Sequence, residues 1–141
     1  MKKAVILFFV SAMLLSCQQK IDKKDLSKIN GYWEIEKVIL PDGEKKEKEY
    51  KVNESIDYFT IKNSKGFREK VMPQLDGKYI VNDLRENLEI VEKEGDFYIK
   101  YNTPYAKWSE QLIAISATQL VLKNEQKIEY HYKKPIPFSV K

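Results

Sequence analysis

Residue types that commonly carry chemistry are sparse in this chain, which has one histidine, His131, and one cysteine, Cys17, among 141 residues. A protein metal site of the zinc kind draws on two or three His or Cys ligands, and none remain to be recruited. A Ser-His-acid arrangement would have to run through His131 alone, and no serine sits in a nucleophile-elbow sequence. No glycine-rich phosphate loop or dinucleotide fingerprint occurs. Carboxylates are plentiful, with 21 Asp and Glu. Glu34 with Glu36, and Glu92 with Glu94, have the two-residue spacing that places both groups on one strand face, where a pair can work as acid and base. They sit beside Lys37 and Lys93, which is the pattern of an ordinary charged outer face. The expectation is a chain that is not an enzyme and holds no metal and no cofactor.

Aromatic residues are the more suggestive group: nine tyrosines, six phenylalanines and two tryptophans. Tyr98, Tyr101, Tyr105 and Trp108 gather around Pro104, in a segment that reads as a loop between two strands. Rings with a polar tip at the mouth of a barrel suit the entrance for a small apolar or amphipathic ligand. The same rings also serve as filler, because the interior of a small barrel is just wide enough for side chains. Both readings stand on sequence alone.

The elements that must position these residues are strands. Trp33, Ile35 and Ile39 fall on one parity; so do Phe59 and Ile61, Leu88 and Ile90, Phe97, Ile99 and Tyr101, Leu120 and Leu122, and Ile128, Tyr130 and Tyr132. Two-residue alternation of aromatic and β-branched residues is what a half-buried strand requires. Asp42-Gly43, Lys65-Gly66, Asp76-Gly77, Glu94-Gly95 and Asn124-Glu125 lie between the runs as turn signals. Trp108, Leu112 and Ile115 have helical spacing, but β-branched Ile113 and Ile115 and the preceding Pro104 favour a strand there. His131, between Tyr130 and Tyr132, takes the outward parity. The runs add up to eight to ten strands, an all-β chain whose simplest topology is an antiparallel up-and-down β-barrel without exposed edges.

The first residues address location. Lys2 and Lys3 precede an apolar run from Ala4 to Leu15, shorter than the about 20 residues of a spanning helix and suited to a secretory signal. The tetrapeptide Leu14-Leu15-Ser16-Cys17 looks like a bacterial lipobox. That resemblance implies removal of residues 1–16 and acylation of Cys17 with palmitate-type chains, several of which together hold a protein stably on a bilayer. Gln18 is not the aspartate associated with inner-membrane retention, so the reading is a lipoprotein of the cell envelope, on the outer rather than the inner membrane. Residues 17–28, rich in lysine and aspartate, read as a flexible tether in which Asp25 caps a short helical turn through Leu26 and Ile29. Residues 29–134 form the barrel. Residues 135–141, with Pro135 and Pro137, are an extended C-terminal tail. The whole chain carries 25 Lys and Arg against 21 acids, and loss of Lys2 and Lys3 leaves 23 against 21. A nearly neutral chain with two arginines, Arg68 and Arg85, does not fit nucleic-acid binding. A single cysteine leaves no internal disulfide.

Gly31-Tyr32-Trp33, opening the first strand after a short helical turn, resembles the lipocalin signature. The segments Trp108 to Ile115, Leu120 to Leu122 and Glu129 to Lys133 are similar to the closing strands of small lipocalin-like lipoproteins of Bacteroidetes. The resemblance covers residues 29–134. It implies an eight-stranded barrel whose base is closed by Trp33, with Gly31 and Trp33 as its structural signature, and a ligand inside. Lipocalins set an arginine over that tryptophan near the last strand; here only Lys133 or Lys134 stands in, and the planar fork is lost. No Thr-Asp-Tyr motif occurs mid-chain. Two functions follow as expectations. One is a membrane-anchored binding barrel for a small apolar or amphipathic ligand. The other is an assembly lipoprotein that docks on an envelope protein complex, with a filled barrel as scaffold and the tail as its contact.

Overall fold

Two-residue alternation becomes nine antiparallel strands in the computed structural model, which describes residues 20–42, 45–46, 56–74, 76 and 78–135. They are β1 Gly31–Ile39, β2 Lys45–Lys46, β3 Ile56–Lys62, β4 Lys65–Pro73, β5 Tyr79–Lys93, β6 Asp96–Asn102, β7 Lys107–Ile115, β8 Gln119–Asn124 and β9 Glu129–Lys133. From β3 to β9 each strand pairs with its successor, β3 returns to β1, and β9 pairs with β1 through Ile35 opposite Tyr132 and Val38 opposite Tyr130. That pairing closes an eight-stranded up-and-down barrel. β2 stands outside it, a two-residue ladder on Val38 and Ile39. Cys17, the dense charge run over 43–44 and 47–55, and residues 136–141 of the tail lie outside the described residues.

Bulges explain where the alternation misleads. The β7–β8 register shifts between Leu112 and Ala114, so the inward positions run Trp108, Glu110, Leu112 and then Ile115. An inward carboxylate removes one apolar residue from the pattern and the bulge inserts one position, which together imitate a helical spacing. β7 is a strand throughout. In β1 a shift between Ile35 and Lys37 puts Val38 opposite Tyr130, so Val38 takes the inward parity that simple alternation gives to Ile39. The β3–β4 turn is also displaced. Asn63 and Ser64 both have positive φ, 52° and 64°, as a type I′ hairpin demands. Gly66 sits within β4, where a Cβ would lie 1.7 Å from the Thr60 carbonyl oxygen. It permits a close strand approach and does not form the turn.

One end of the barrel is plugged. A 3-10 helix, Lys23–Ile29, lies across it with Leu26 and Ile29 buried among Leu88, Ile90, Phe97 and Ile115. Residues 23–28, expected in the tether, form this helix because two apolar side chains three apart can enter the barrel; each adds about 1.5–3 kcal/mol of burial. Asp22, not Asp25, occupies the N-cap position, and its backbone N–H donates to the Asp25 carboxylate at 3.2 Å. Trp33 is fully buried and its Nε1–H donates to the Ile29 carbonyl at 2.8 Å. Asn30 fixes the helix to β3, accepting from the Ile61 N–H at 2.6 Å and donating to the Ile61 carbonyl at 3.2 Å.

Candidate functional site

Inward residues change character along the barrel axis. Near the plug they are apolar: Ile61, Leu88, Ile90, Phe97, Ile99, Leu112 and Leu120. Across the middle lie Phe59, Tyr101, Leu122 and Tyr132, all buried. Beyond them the same parity carries Asp57 on β3, Arg68 on β4, Glu86 on β5 and Glu110 on β7, with Asp57, Arg68 and Glu110 buried and Glu86 partly so. Cross-strand register assembles the group: Phe59 faces Arg68 and Arg68 faces Glu86.

Arg68 organises this end. Its Nε donates to Glu86 at 2.9 Å and its Nη2 makes a second contact with the same carboxylate oxygen. Nη1 reaches the Tyr101 hydroxyl and the Glu110 carboxylate, each at 3.4 Å. The guanidinium carbon lies 4.3 Å from the Tyr101 ring centroid and 5.8 Å from that of Phe59. The Tyr101 hydroxyl lies beside Glu110, and the Tyr132 hydroxyl lies beside Asp57. Burial alone would pull the Arg68 guanidinium down; Tyr101, Asp57, Tyr132 and Glu86 outweigh it and push it up. At neutral pH the two phenols are uncharged, so the carboxylates supply that field. Burial pushes the Glu110 carboxyl above its usual range, with Arg68 opposing. Burial likewise raises the Tyr101 and Tyr132 phenols well above theirs.

A cavity of about 400 Å³ opens above this cluster. Ile35, Trp108, Tyr130 and Tyr132 wall it, Asp57, Arg68 and Glu110 lie at its base, and the exposed Lys70 and Glu125 stand at its rim. Glu125 is held there by the Ser109 hydroxyl at 3.1 Å. Trp108, half-buried, stacks on Tyr101 with centroids 5.2 Å apart and planes 17° from parallel.

Of the four aromatics singled out from sequence, Tyr101 and Trp108 meet inside the barrel. Tyr98 takes the outward parity and is half-buried, and Tyr105 is 90% exposed in the β6–β7 turn. Gly31 and Trp33 lie at the opening of β1 under Lys134, whose Nζ is 3.8 Å from the Trp33 ring centroid. Lys134 therefore occupies the place of the lipocalin arginine, while Lys133 pairs with Glu34 at 3.6 Å. Gly31, at φ +117°, leaves room for that ammonium, which a Cβ would meet at 3.0 Å. His131 lies on the outer face, 3.4 Å from Glu129. The carboxylate pairs Glu34/Glu36 and Glu92/Glu94 take no part in the cavity, and Glu94 belongs to the β5–β6 turn at φ 54°. Asp57, Arg68, Glu86, Glu110 and Tyr132 were missed as a group. Parity was the available signal: Asp57 precedes Phe59 and Ile61, Glu86 precedes Leu88, and Glu110 precedes Leu112, each a charge on an apolar stripe.

The family model for the lipocalin-like domain matches residues 29–122, and the chain belongs to that family. Among solved structures, a lipocalin-like protein from Bacteroides uniformis ATCC 8492 is similar to it, at 13% identity and a TM-score of 0.46 over 76% of this chain and 98% of that one. No curated protein matches.

Proposed function

We propose that this chain is a lipid-anchored, non-catalytic binding protein of the cell envelope that takes a small amphipathic molecule into the open end of its barrel. The observation that carries this is the meeting of aromatic walls and a charged base in one cavity of about 400 Å³ at the open end; the pocket of about 350 Å³ beside the 3-10 helix, among Leu26, Ile61, Ile90 and Phe97, has no such buried charged base. Apolar walls with a few convergent polar groups are the usual build of a small-molecule pocket. A wholly apolar ligand is disfavoured, because it would cover Asp57 and Glu110 without replacing the water that hydrates them. Lipid attachment at Cys17 and an outer-membrane address rest on the lipobox-like tetrapeptide and on Gln18.

Native mass spectrometry of the protein purified from its host tests the binding function, together with Trp108 fluorescence during titration with a library of small amphipaths. Retention of a ligand, or saturable quenching, is expected. A ligand-free barrel and an unresponsive Trp108 would overturn it. Cys17→Ala should move the protein from the membrane to the soluble fraction; unchanged partitioning would remove the anchor. The buried apolar cluster around Trp33, Ile99 and Leu120 also suits the second reading, a scaffold that docks on an envelope complex. Deletion of residues 135–141 that abolishes capture of a partner, with the barrel still folded, would favour that reading.

A further inference from the structure

Negative charge exceeds positive charge in the part of the cavity that water reaches least. Three carboxylates, Asp57, Glu86 and Glu110, surround one buried cation, Arg68. Glu86 takes the Nε and Nη2 donors of the guanidinium, which leaves Glu110 one long contact of 3.4 Å. Asp57 lies beside the Tyr132 hydroxyl and makes no ion pair among the described residues. At the rim, Lys70 and Glu125 offset each other. The surplus carboxylates thus face a space whose remaining walls include Trp108, Tyr130 and Tyr132. Carboxylates beside aromatic rings attract an organic cation twice over, by ion pairing and through the ring quadrupole.

We propose that the cavity binds a small organic ammonium ion with an aromatic or apolar body, its charged head at Asp57 and Glu110 and its body against Trp108 and Tyr130. This rests on the binding function above and specifies its ligand class. An anionic ligand meets two carboxylates and an arginine with four of its five N–H donors already engaged. A bare metal ion fits poorly, because no group of three or more His, Cys, Asp or Glu among the described residues is placed to hold one.

Binding of this kind is linked to protons. The charged or titratable groups that face Glu110 are Asp57 on β3, Arg68 on β4, Glu86 on β5, Tyr101 on β6 and Tyr132 on β9, and the uncharged Asn124 lies opposite on β8. Burial favours the protonated carboxyl of Glu110. An ammonium head favours the ionised form, so it displaces a proton and binds more tightly as pH rises through the Glu110 titration.

The test is calorimetric titration of the mature chain with three probes of one shape: phenethylammonium, 2-phenylethanol and phenylacetate. The ammonium ion should bind at least tenfold more tightly than the alcohol, and phenylacetate more weakly than either. Asp57→Asn and Glu110→Gln, checked for folding by circular dichroism, should narrow the gap. If either variant fails to fold, the probe series on the unaltered protein still decides the question. Equal binding of alcohol and ammonium, or a preference for phenylacetate, overturns the ammonium assignment and leaves the binding barrel standing. Failure of all three at millimolar concentration, while other amphipaths quench Trp108, also overturns it. Failure of every ligand of any charge removes the binding function as well.

Discussion

Arg68→Met is the substitution that weighs most on the charged end of the barrel. The side chains of Arg68, Glu86 and Glu110 are only 10%, 16% and 7% exposed, so this is a buried ion network and the small values typical of surface pairs do not apply. Methionine keeps an apolar stem of similar reach beside Phe59 and Tyr101 but leaves both glutamates without their cation. Removing one partner of a buried ion pair costs about 3–5 kcal/mol, because the remaining charge stays desolvated. Urea unfolding followed by circular dichroism should register this as a midpoint lowered by roughly 2 M, for a denaturant slope of about 2 kcal/mol per M. The pH dependence has a definite sign. The Glu110 carboxyl is already pushed up by burial, and Arg68 is the group that pulls it down. Without Arg68 it rises further. A group whose folded pKa is raised contributes stability below its unfolded pKa, which is lost as pH rises through the folded value. The variant should therefore fall furthest behind the unaltered protein at pH 7 and recover part of the difference near pH 4. A loss under about 1 kcal/mol at pH 7, or one that is the same at both pH values, would refute a buried ionic network at this end.

Glu110→Gln retains an acceptor for Tyr101 and removes the raised carboxyl, so thermal melts between pH 4 and pH 8 should lose part of the decline in stability toward neutrality; an unchanged profile would assign that decline elsewhere. Ile29→Ala, which empties a fully buried site in the plug, should cost about 2–5 kcal/mol in the same urea assay, and a loss below 1 kcal/mol would mean that the helix adds little to the core. Two glycines should separate space from backbone strain. Gly66→Ala places a Cβ 1.7 Å from the Thr60 carbonyl and should lower the melting temperature far more than Gly95→Ala, which meets nothing within 4 Å and bears only the strain of φ +83°, about 1 kcal/mol. Equal effects would contradict the close β3–β4 approach.

How far the sequence could be read follows from the periods involved. Alternation in β3, β5, β6, β8 and β9 translates directly into inward residues, and with the turns it leads to an up-and-down barrel. Each failure has a local cause. A bulge displaced the inward residue in β1 from Ile39 to Val38, and another, with the inward Glu110, made β7 resemble a helix. The 3-10 helix was partly visible in Leu26 and Ile29, yet composition alone assigned its residues to a tether; lysines on its solvent side obscured two anchors that a barrel end could receive. The site was legible only by halves. Tyr101 and Trp108 were found because rings stand out, whereas Asp57, Glu86 and Glu110 lay among many acids and differ from the others only in strand parity.

That parity carries a physical consequence for how the barrel divides its tasks. A charge on an inward stripe opposes folding unless the rest of the stripe compensates, since desolvating a carboxylate costs several kcal/mol even when it is paired. Compensation here lies at the other end, where Ile29, Trp33, Ile99 and Ile115 are buried with scarcely any exposure and Trp33 is fixed to the helix by its indole N–H. The plugged end can hold the cylinder closed while the open end keeps three carboxylates around one guanidinium. Both layers then contribute to stability, and the proposed binding draws on the charged one alone. Substitutions in the plug should lower the urea midpoint while the folded protein keeps its ligand preference, whereas neutralising Asp57 should alter preference at modest cost in stability.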